Sequence, residues 1–223
     1  MRPRKKPNLV PRLSRCVSVI LPVPADPKEI PALKGHIRDA FPNPSAPLHL
    51  EIGCGKGQFI CELASRNPGV NFLALEREEN VAVVAAERAV ELGLQNVRFM
   101  LCDAELLPQL IEKGELMQIY INFCDPWHKH RQFKRRLTYR VRLELYKTLL
   151  ADGGELWFKT DNYNLFHFST FEFEAAMPPY FMTRDLHNSE YATDNIITEY
   201  EAYFSELGQP IYSIRAKKSS EQN

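Results

Sequence analysis

The sequence has few cysteines, and their spacing matches neither a disulfide framework nor a zinc site. Five occur in 223 residues, which is an odd number, and no C-x-x-C pair is present. A structural zinc site needs ligands clustered at short spacings. We therefore expect buried or incidental thiols and no bound metal. The five are Cys16, Cys54, Cys61, Cys102 and Cys124.

Long apolar runs are also missing. A helix needs about 20 consecutive apolar residues to span a bilayer, and the longest apolar run near the start, residues 17–23, is broken by Ser18 and Pro22. No signal-peptide cleavage site follows it. With 44% hydrophobic and 25% charged residues, the composition is that of an ordinary globular protein. We expect a cytoplasmic protein that does not contact a membrane.

Acidic residues are absent from two segments that are rich in Lys and Arg. Residues 1–15 contain six basic residues and residues 127–142 contain seven. The whole chain has 28 basic and 28 acidic residues, so its zero net charge hides two basic segments on an acidic remainder. Such local charge predicts a polyanionic partner such as RNA. We expect the first segment to be a mobile arm.

Short apolar strands alternate with helical segments from Leu48 onwards. This order predicts an α/β fold with a doubly wound, mostly parallel Rossmann-like sheet flanked by helices, and we expect its last strand to be antiparallel. The expected domain spans residues 48–215, after a proline-rich lead-in at 1–47 with one short helix near 28–41, and before a tail at 216–223. Predicted strands are 48–52, 70–75, 97–101, 117–123, 155–159, 180–183 and 211–214, and predicted helices are 58–66, 81–92, 137–150, 166–177 and 195–207.

A glycine-rich loop, Glu51-Ile52-Gly53-Cys54-Gly55-Lys56-Gly57, follows the first predicted strand. Glycines between a strand and a helix let the backbone approach a nucleotide closely and adopt positive φ. The dinucleotide fingerprint is G-x-G-x-x-G, whereas the spacing here is G-x-G-x-G. Glu51 is poorly suited to a pyrophosphate but well suited to the cationic methionine end of S-adenosylmethionine. The loop therefore predicts an S-adenosylmethionine site and disfavours a dehydrogenase.

Acidic residues also follow the next two predicted strands, at the edge where α/β sheets bind ligands. Glu76 ends the second strand, and we expect it to accept hydrogen bonds from both ribose hydroxyls. Asp103 ends the third strand and is expected to meet the adenine edge, with the amide of Ala104 nearby. One such acid alone could be a helix cap, but Glu51, Glu76 and Asp103 in this order favour the nucleoside site of a class I methyltransferase.

The fourth predicted strand leads into Asn122-Phe123-Cys124-Asp125-Pro126-Trp127 and then into the second basic segment. Methyltransferases that modify ring or amino nitrogens often place an acid, a proline and an aromatic residue at this point. Trp127 either stacks on a base or packs in the protein, and the sequence leaves both open. Phosphate contacts are expected from the basic residues Arg131, Lys134, Arg135 and Arg136.

Together these segments resemble the bacterial tRNA (guanine-N7-)-methyltransferase family. The resemblance covers residues 48–214 and rests on the glycine loop, on Asp125-Pro126-Trp127 and on three later segments. The later segments are Lys134-Arg135-Arg136-Leu137, Lys159-Thr160-Asp161 and Thr198-Glu199-Tyr200-Glu201 with Phe204 and Gly208. The basic start, with Met1-Arg2, Arg4, Lys6 and Pro7, also resembles the family's N-terminal arm.

The resemblance implies an activity and a set of site residues. The implied activity is methyl transfer from S-adenosylmethionine to N7 of a tRNA guanine, at position 46 in the variable loop, with S-adenosylhomocysteine as product. A monomer or homodimer is implied, with no metal and no obligate partner subunit. The implied cofactor contacts are Glu51, Glu76, Asp103 and Asp125, and Asp125 is also the implied catalytic residue. The implied substrate contacts are Lys129, Asp161, Thr198, Glu199, Tyr200 and Glu201.

The chemistry of guanine N7 suggests a role for the acid in this mechanism. N7 carries an in-plane lone pair and no proton, so its methylation needs no general base. Because the ring becomes cationic, a nearby carboxylate would stabilise the developing charge. We interpret Asp125 as an orienting and charge-stabilising acid, and Asp161 as a second candidate for base recognition. Two alternatives stay open on the residues alone: a class I methyltransferase for another substrate, and a binding module that keeps the fold without catalysis.

Overall fold

A computed structural model of the chain describes residues 8–219. The basic residues predicted at positions 2–6 and the last part of the expected tail, 220–223, lie outside the described residues. The chain divides into two compact units, residues 1–112 and 113–223. Between residues 8 and 219, no helix is long and apolar enough to cross a membrane.

Three parallel strands form the centre of the first unit. β1 pairs with β2 and β2 pairs with β3, and nearly every side chain in these strands is buried, as is usual for parallel strands covered on both faces. Small alanine side chains on the buried face of α3 allow that helix to pack closely on the sheet. The elements are α1 (Leu9–Ser14), β1 (Leu48–Ile52), α2 (Gln58–Arg66), β2 (Asn71–Leu75), α3 (Glu79–Glu91), β3 (Val97–Met100) and α4 (Leu107–Leu110).

The lead-in is more ordered than its sequence suggests. Leu9 of α1 is buried, and the guanidinium of Arg12 donates two hydrogen bonds of 2.7 and 2.6 Å to the carboxylate of Glu87 on α3. Ile20 forms an isolated parallel bridge with Phe99. The expectation of a mobile arm is therefore wrong for residues 9–14, because an apolar contact and a bidentate ion pair hold them on α3.

Two short 3-10 turns replace the helix expected near residues 28–41. They span Ile30–Leu33 and Ile37–Ala40. Gly35 lies between them with φ of 79°, a left-handed conformation that ends a helix. The proline-rich composition thus limits regular structure here, but the predicted single helix is wrong.

The second unit combines parallel and antiparallel pairing. β4 pairs with β5 in parallel, whereas β7 is antiparallel to both β5 and β6. Phe158 of β5 and Phe173 of α6 stack in the core of this unit, with ring centroids 6.3 Å apart. The elements are β4 (Leu116–Asn122), α5 (Arg140–Leu149), β5 (Leu150–Thr160), α6 (Tyr163–Ala176), β6 (Pro179–Thr183), α7 (Glu199–Glu206) and β7 (Tyr212–Lys217).

Several predicted boundaries in this unit are wrong, among them the starts of β5, α5, α6 and α7 and the end of β7. The pair Gly153-Gly154 does not stop α5 but lies within β5, where the pairing with β4 shifts register. A Cβ on Gly154 would lie 3.1 Å from the backbone oxygen of Leu116, so the close approach of two strands requires glycine. The helix α5 begins at Arg140, after a 3-10 turn at His130–Arg135. The helix α7 begins at Glu199 because Thr198 caps it.

The fold class is confirmed. The strands form one seven-stranded sheet in the order β3-β2-β1-β4-β5-β7-β6. It is mostly parallel, helices follow most of its strands, and the last strand in the chain, β7, is antiparallel to its neighbours. This is the doubly wound α/β arrangement that the alternation of strands and helices predicts.

Candidate cofactor and RNA sites

The loop after β1 turns into α2 through three glycines with positive φ. Gly53, Gly55 and Gly57 have φ of 79°, 56° and 76°, a region that other residues enter only with strain. A Cβ on Gly57 would lie 2.6 Å from the Cβ of Ala85 on α3, so Gly57 is required for packing. Among the described residues, a Cβ on Gly53 or Gly55 would meet nothing within 4 Å. Gly53 and Gly55 therefore leave room for a ligand close to the backbone.

Acidic residues lie at the carboxyl ends of all three parallel strands of the first unit. Glu51 is the last residue but one of β1 and is 2% exposed, Glu76 directly follows β2, and Asp103 follows β3. The backbone amide of Glu76 donates to the carbonyl oxygen of Met100 at 3.2 Å, which fixes its position beside β3. The structure therefore brings together the three acids that the sequence predicted as cofactor contacts.

The carboxylate of Glu76 is held by two backbone amides. One oxygen accepts from Gly55 N at 3.1 Å and the other from Glu78 N at 3.0 Å. Each carboxylate oxygen can accept two hydrogen bonds, so both oxygens can also accept from a diol. This geometry fits the predicted ribose contact and links the glycine loop directly to Glu76.

The surroundings of the Cys54 thiol inside the loop are negatively charged. Burial raises the pKa of Cys54 well above its ordinary value, and the negative charges of Glu51 and Glu76 raise it further. The loop therefore disfavours an added anion and favours a cation. That sign matches the methionine end of S-adenosylmethionine and opposes a pyrophosphate.

Asp103 and Ala104 form the start of a short 3-10 turn. One oxygen of the Asp103 side chain accepts from the backbone amide of Glu105 at 3.0 Å, which caps the turn at Ala104–Leu106. Asp103 is exposed, whereas Ala104 is 6% exposed. Asp103 is thus a cap, which is the alternative role that a single acid could have. It is also a carboxylate at the ligand-binding edge of the sheet.

In the second unit, a strained turn follows β4. Phe123 and Trp127 have φ of 50° and 41°, in the left-handed region that residues with a Cβ seldom adopt. Asp125 lies between them and is exposed. The amide of Phe123 donates to the carbonyl oxygen of Lys159 on β5 at 3.0 Å. Strain of this kind persists where the surrounding structure holds it and is frequent at functional sites.

Asp161, Tyr200 and Phe123 form one contact group in this unit. The hydroxyl of Tyr200 hydrogen-bonds Asp161, and burial together with this acid raises the Tyr200 pKa. The ring of Tyr200 lies 5.0 Å from that of Phe123 and 4.7 Å from that of Phe204. The structure therefore brings two predicted substrate contacts, Asp161 and Tyr200, to the beginning of the strained turn.

Glu201 is not positioned to contact a substrate. It is fully buried, and its carboxylate accepts from Lys159 Nζ at 2.6 Å and lies 2.7 Å from His187 Nε2 and 2.5 Å from Asn195 Nδ2. Burial alone would raise the Glu201 pKa, but the charge and hydrogen bond of Lys159 and the bonds of His187 and Asn195 lower it. Its role is to hold the chain before α7 in place.

Thr198 belongs to the same structure. It is the N-cap of α7, its hydroxyl accepting from Glu201 N at 3.0 Å while Glu201 accepts from Thr198 N. Thr198 is 9% exposed. The side chain of Glu199 lies outside what the structure describes. Among Thr198, Tyr200 and Glu201, whose side chains the structure describes, Tyr200 is therefore the best placed to meet a substrate.

The basic segment has both exposed and buried members. Lys129, Arg131, Lys134 and Arg135 are exposed, as phosphate contacts require. Arg136 is 3% exposed, so its guanidinium is not accessible to a phosphate. The guanidinium of Arg135 lies 4.9 Å from the ring centroid of Trp127, so Trp127 packs at least in part against the protein.

Comparison with known proteins identifies the family. A family model described as "Putative methyltransferase" matches residues 45–214. The tRNA (guanine-N(7)-)-methyltransferase of Listeria monocytogenes serotype 4b is 45% identical over 97% of this chain and 98% of that protein. The protein of that name from Brevibacillus brevis is 46% identical over 82% of this chain and 86% of its own length. The chain belongs to the tRNA (guanine-N(7)-)-methyltransferase family.

Solved structures support the fold of this tRNA (guanine-N(7)-)-methyltransferase family member. The 16S rRNA methyltransferase KamB superposes with a TM-score of 0.60 over 87% of this chain and 94% of that chain, at 13% identity. An antibiotic-related methyltransferase superposes with a TM-score of 0.59 over 83% and 92%, at 16% identity. At such identity the likeness concerns the class I methyltransferase fold alone.

Sequence reasoning about this methyltransferase family member missed the roles of Lys159, Phe123 and Arg136. Lys159 interrupts an apolar strand, and its ammonium is held by Asn195, Ile196 and Glu201 at 2.6–2.8 Å. A lysine within the otherwise apolar end of β5 is the signal that could have indicated a buried partner. For Phe123 and Arg136 the pattern of residue types shows no such signal, because backbone strain and burial arise from contacts of the folded chain, both near and distant.

Proposed function

We propose that this protein transfers the methyl group of S-adenosylmethionine to N7 of a guanine in tRNA. The observation that carries this proposal is the 45% identity over 97% of the chain to a protein named for that activity. The positions of the predicted motif residues within each unit support it. The guanine at position 46 of the variable loop remains the expected target.

The first unit supplies a fitting cofactor site. When bound, S-adenosylmethionine provides a methyl group on a cationic sulfur, and this group moves to N7 as its bond to sulfur breaks. The open space at Gly53 and Gly55 admits the nucleoside close to the backbone. Glu76 is oriented to accept from ribose hydroxyls, and the negative potential at Cys54 favours the cationic end. Asp103 and the Ala104 amide are assigned to the adenine.

Asp125 is assigned to the guanine. Its carboxylate is exposed on a strained turn, where it can accept from the N1–H and amino group of the base. As N7 becomes alkylated the purine gains positive charge, and a carboxylate already in place stabilises that charge without reorganisation. Asp161, held by the Tyr200 hydroxyl, is the second acid assigned to base recognition.

The exposed cations of the second unit are assigned to tRNA phosphates. Lys129, Arg131, Lys134 and Arg135 are exposed within one segment of seven residues. Each cation that neutralises a phosphate releases counterions and so contributes to affinity in a salt-dependent way. We propose residues 48–215 as the catalytic domain and the cytoplasm, where tRNA is abundant, as its location.

The direct test is methylation of bulk tRNA with labelled S-adenosylmethionine, followed by identification of the modified nucleoside. We expect 7-methylguanosine, and its formation in a tRNA lacking the variable-loop guanine would contradict the assigned position. Label in a different nucleoside would show a class I methyltransferase with another specificity. Cofactor binding without transfer to any nucleic acid would show a binding module.

Asp125→Ala is expected to keep partial cofactor binding and to lose most methyl transfer. Loss of one preorganised charge contact commonly lowers turnover by about 100- to 1,000-fold. Asp125→Asn is the matched variant, because it keeps the shape and removes only the charge. Turnover and the S-adenosylmethionine dissociation constant are measured for both. Turnover equal to that of the parent at saturating cofactor would rule out this role.

A further inference from the structure

Arg136 differs from its neighbours in the basic segment because its side chain points into the protein. Lys134 and Arg135 are exposed, whereas Arg136 is 3% exposed. Burial lowers the Arg136 pKa from its ordinary value. A guanidinium is removed from water at this cost only where other contacts offset it, so its contacts indicate its role.

The contacts of Arg136 are with the backbone of the strained turn. Its Nε donates to the carbonyl oxygen of Pro126 at 2.8 Å, and its Nη2 donates to that of Trp127 at 3.4 Å. The planar guanidinium presents these two donors along one edge, which a lysine ammonium cannot reproduce. Arg136 thus joins the two residues that directly follow Asp125.

Two aromatic rings pack against the guanidinium. The Cζ atom of Arg136 lies 3.7 Å from the ring centroid of Phe133 and 4.3 Å from that of Phe168. Both distances are well inside the range of cation–π attraction. Because Phe168 belongs to α6, Arg136 connects the turn to a helix of the core.

Further bonds tie this segment to α6. The hydroxyls of Thr138 and Ser169 are 2.7 Å apart and buried, and the amide of Arg140 donates to Glu172 at 2.6 Å. With the Phe168 contact, these bonds repeat along one side of the helix. The segment that carries Arg136 is therefore anchored on α6 as well as on the turn it supports.

The turn needs such support. Phe123 and Trp127 both have positive φ, a conformation that persists in residues with a Cβ only where the surrounding structure enforces it. At the Phe123 end, the bond to Lys159 O holds the chain. At the Trp127 end, the two carbonyls are held by Arg136.

We propose that Arg136 is a positioning residue that holds the Asp125-Pro126-Trp127 turn in its strained conformation, and that it does not bind phosphate. The proposal rests on the proposed function, in which Asp125 orients the guanine. Without Arg136 the turn relaxes, and Asp125 moves away from the position that methyl transfer requires. A displacement of about 1 Å at a reacting centre can lower turnover about 100-fold.

A phosphate contact and a positioning residue predict different kinetics. Loss of a phosphate contact makes the logarithmic salt dependence of tRNA affinity less steep by about 0.7–0.9. Loss of a positioning residue lowers turnover at saturating substrates and leaves the salt dependence unchanged. Lys134→Met and Arg136→Met remove one positive charge each, two residues apart, and so form a matched pair.

The thiol of Cys124 provides a local probe of the turn. It is next to Asp125 and is the one partly exposed cysteine of the chain. Burial, followed by the charge of Asp125, raises the Cys124 pKa to about 12, while Arg136 lowers it. Removing the Arg136 charge would by itself slow alkylation, so faster alkylation in a variant reports movement of the turn.

The experiment compares the full-chain parent with four variants. These are Arg136→Met, Arg136→Lys, Phe168→Leu and Lys134→Met. Turnover is measured at saturating tRNA and cofactor and divided by the concentration of S-adenosylmethionine-binding sites, so that misfolded protein does not count. The salt dependence of tRNA affinity and the rate of Cys124 alkylation by iodoacetamide, located by mass spectrometry, are measured in parallel.

We expect Arg136→Met to lower turnover about 10- to 100-fold, to speed Cys124 alkylation and to keep the parent's salt dependence. Arg136→Lys and Phe168→Leu should also lower turnover and speed Cys124 alkylation, but by smaller factors. Lys134→Met should make the salt dependence of tRNA affinity less steep. A less steep salt dependence with normal turnover in Arg136→Met would overturn the proposal.

If Arg136→Met does not fold, the two milder variants decide. Turnover and alkylation equal to those of the parent in both Arg136→Lys and Phe168→Leu would overturn the proposal. If the parent itself does not methylate tRNA, the proposed function fails, and the alkylation rates still test whether Arg136 holds the turn.

Discussion

Gly53 and Gly57 have nearly the same backbone conformation but different surroundings. Their φ angles are 79° and 76°, so alanine at either position is strained by about 1–2 kcal/mol. At Gly57 the new Cβ would also meet Ala85 at 2.6 Å, which adds about 1–3 kcal/mol of overpacking. We expect Gly57→Ala to destabilise the protein clearly more than Gly53→Ala.

Thermal unfolding without cofactor measures this difference. For a chain of this size each kcal/mol lowers the melting temperature by about 2–4 °C. The expected decreases are about 3 °C for Gly53→Ala and about 10 °C for Gly57→Ala. Equal decreases would mean that α2 and α3 separate easily, against the close approach seen at Ala85.

His49 makes the stability depend on pH. Burial lowers the pKa of His49 on β1 to about 4 from 6.5, and its ring packs edge-on against Phe72 at 5.4 Å. Between these values the unfolded chain binds a proton that the folded chain does not, so stability falls as pH falls from about 6.5 to about 4. The loss is about 3 kcal/mol.

Urea unfolding at several pH values tests this prediction, with His49→Gln as the variant that cannot titrate. The difference in unfolding free energy between parent and variant should shrink as the pH is lowered through this window. A difference independent of pH would mean that His49 is accessible to protons in the folded protein.

At the scale of elements, α7 is anchored through a buried ion pair. Lys159 of β5 and Glu201 of α7 meet at 2.6 Å, with side chains 6% and 0% exposed. Glu201→Gln would leave the ammonium buried without a carboxylate, which costs about 3–5 kcal/mol. Because Tyr200, which contacts Asp161, lies in the same helical turn as Glu201, we also expect lower methyl transfer.

Glu206→Gln is the matched control, because it makes the same chemical change at an exposed position of α7. Melting temperature and turnover should fall in Glu201→Gln and stay near the parent values in Glu206→Gln. Tyr200→Phe separates the two effects, since it removes only the hydroxyl that contacts Asp161. A stable but inactive Glu201→Gln would instead support direct substrate contact by Glu201.

At the scale of the whole molecule, affinity for tRNA depends on where the charge lies. The chain has equal numbers of basic and acidic residues, yet four exposed cations occur at positions 129–135. Four phosphate contacts predict a slope of about −3 for the logarithm of affinity against the logarithm of salt concentration. Filter binding of tRNA at several salt concentrations measures it.

Lys28→Met is the control for this measurement, because it removes an exposed charge outside the basic segment. It should leave the slope unchanged, whereas Lys134→Met should make it less steep by about 0.7–0.9. An affinity that is independent of salt would contradict the assignment of this segment to phosphate.

Local signals predicted much of the fold, and they predicted the positions of the glycine loop and of the acids that follow the strands. The strand β1 and the helix α2 have the predicted bounds, because an apolar run, a glycine loop and helical spacing lie next to one another in the chain. The start of α5 and the course of residues 150–154 were predicted wrongly. A glycine pair ordinarily stops a helix, but in this protein Gly154 allows β5 to approach β4. That approach is a contact between segments that are distant in the sequence.

The amino-acid sequence by itself determined the glycine loop, the acids after the strands and the family. Each depends on residue type at close spacing, and therefore on local conformation and chemistry. Only the tertiary structure decided that Arg136 and Glu201 are buried rather than at the substrate. Arg136 bonds a nearby turn but also packs on Phe168 of α6, and Glu201 is paired with Lys159, which lies 42 residues away. Burial of a charge is favourable only where the fold supplies such partners. The spacing of residues along the chain does not show which distant residues will meet.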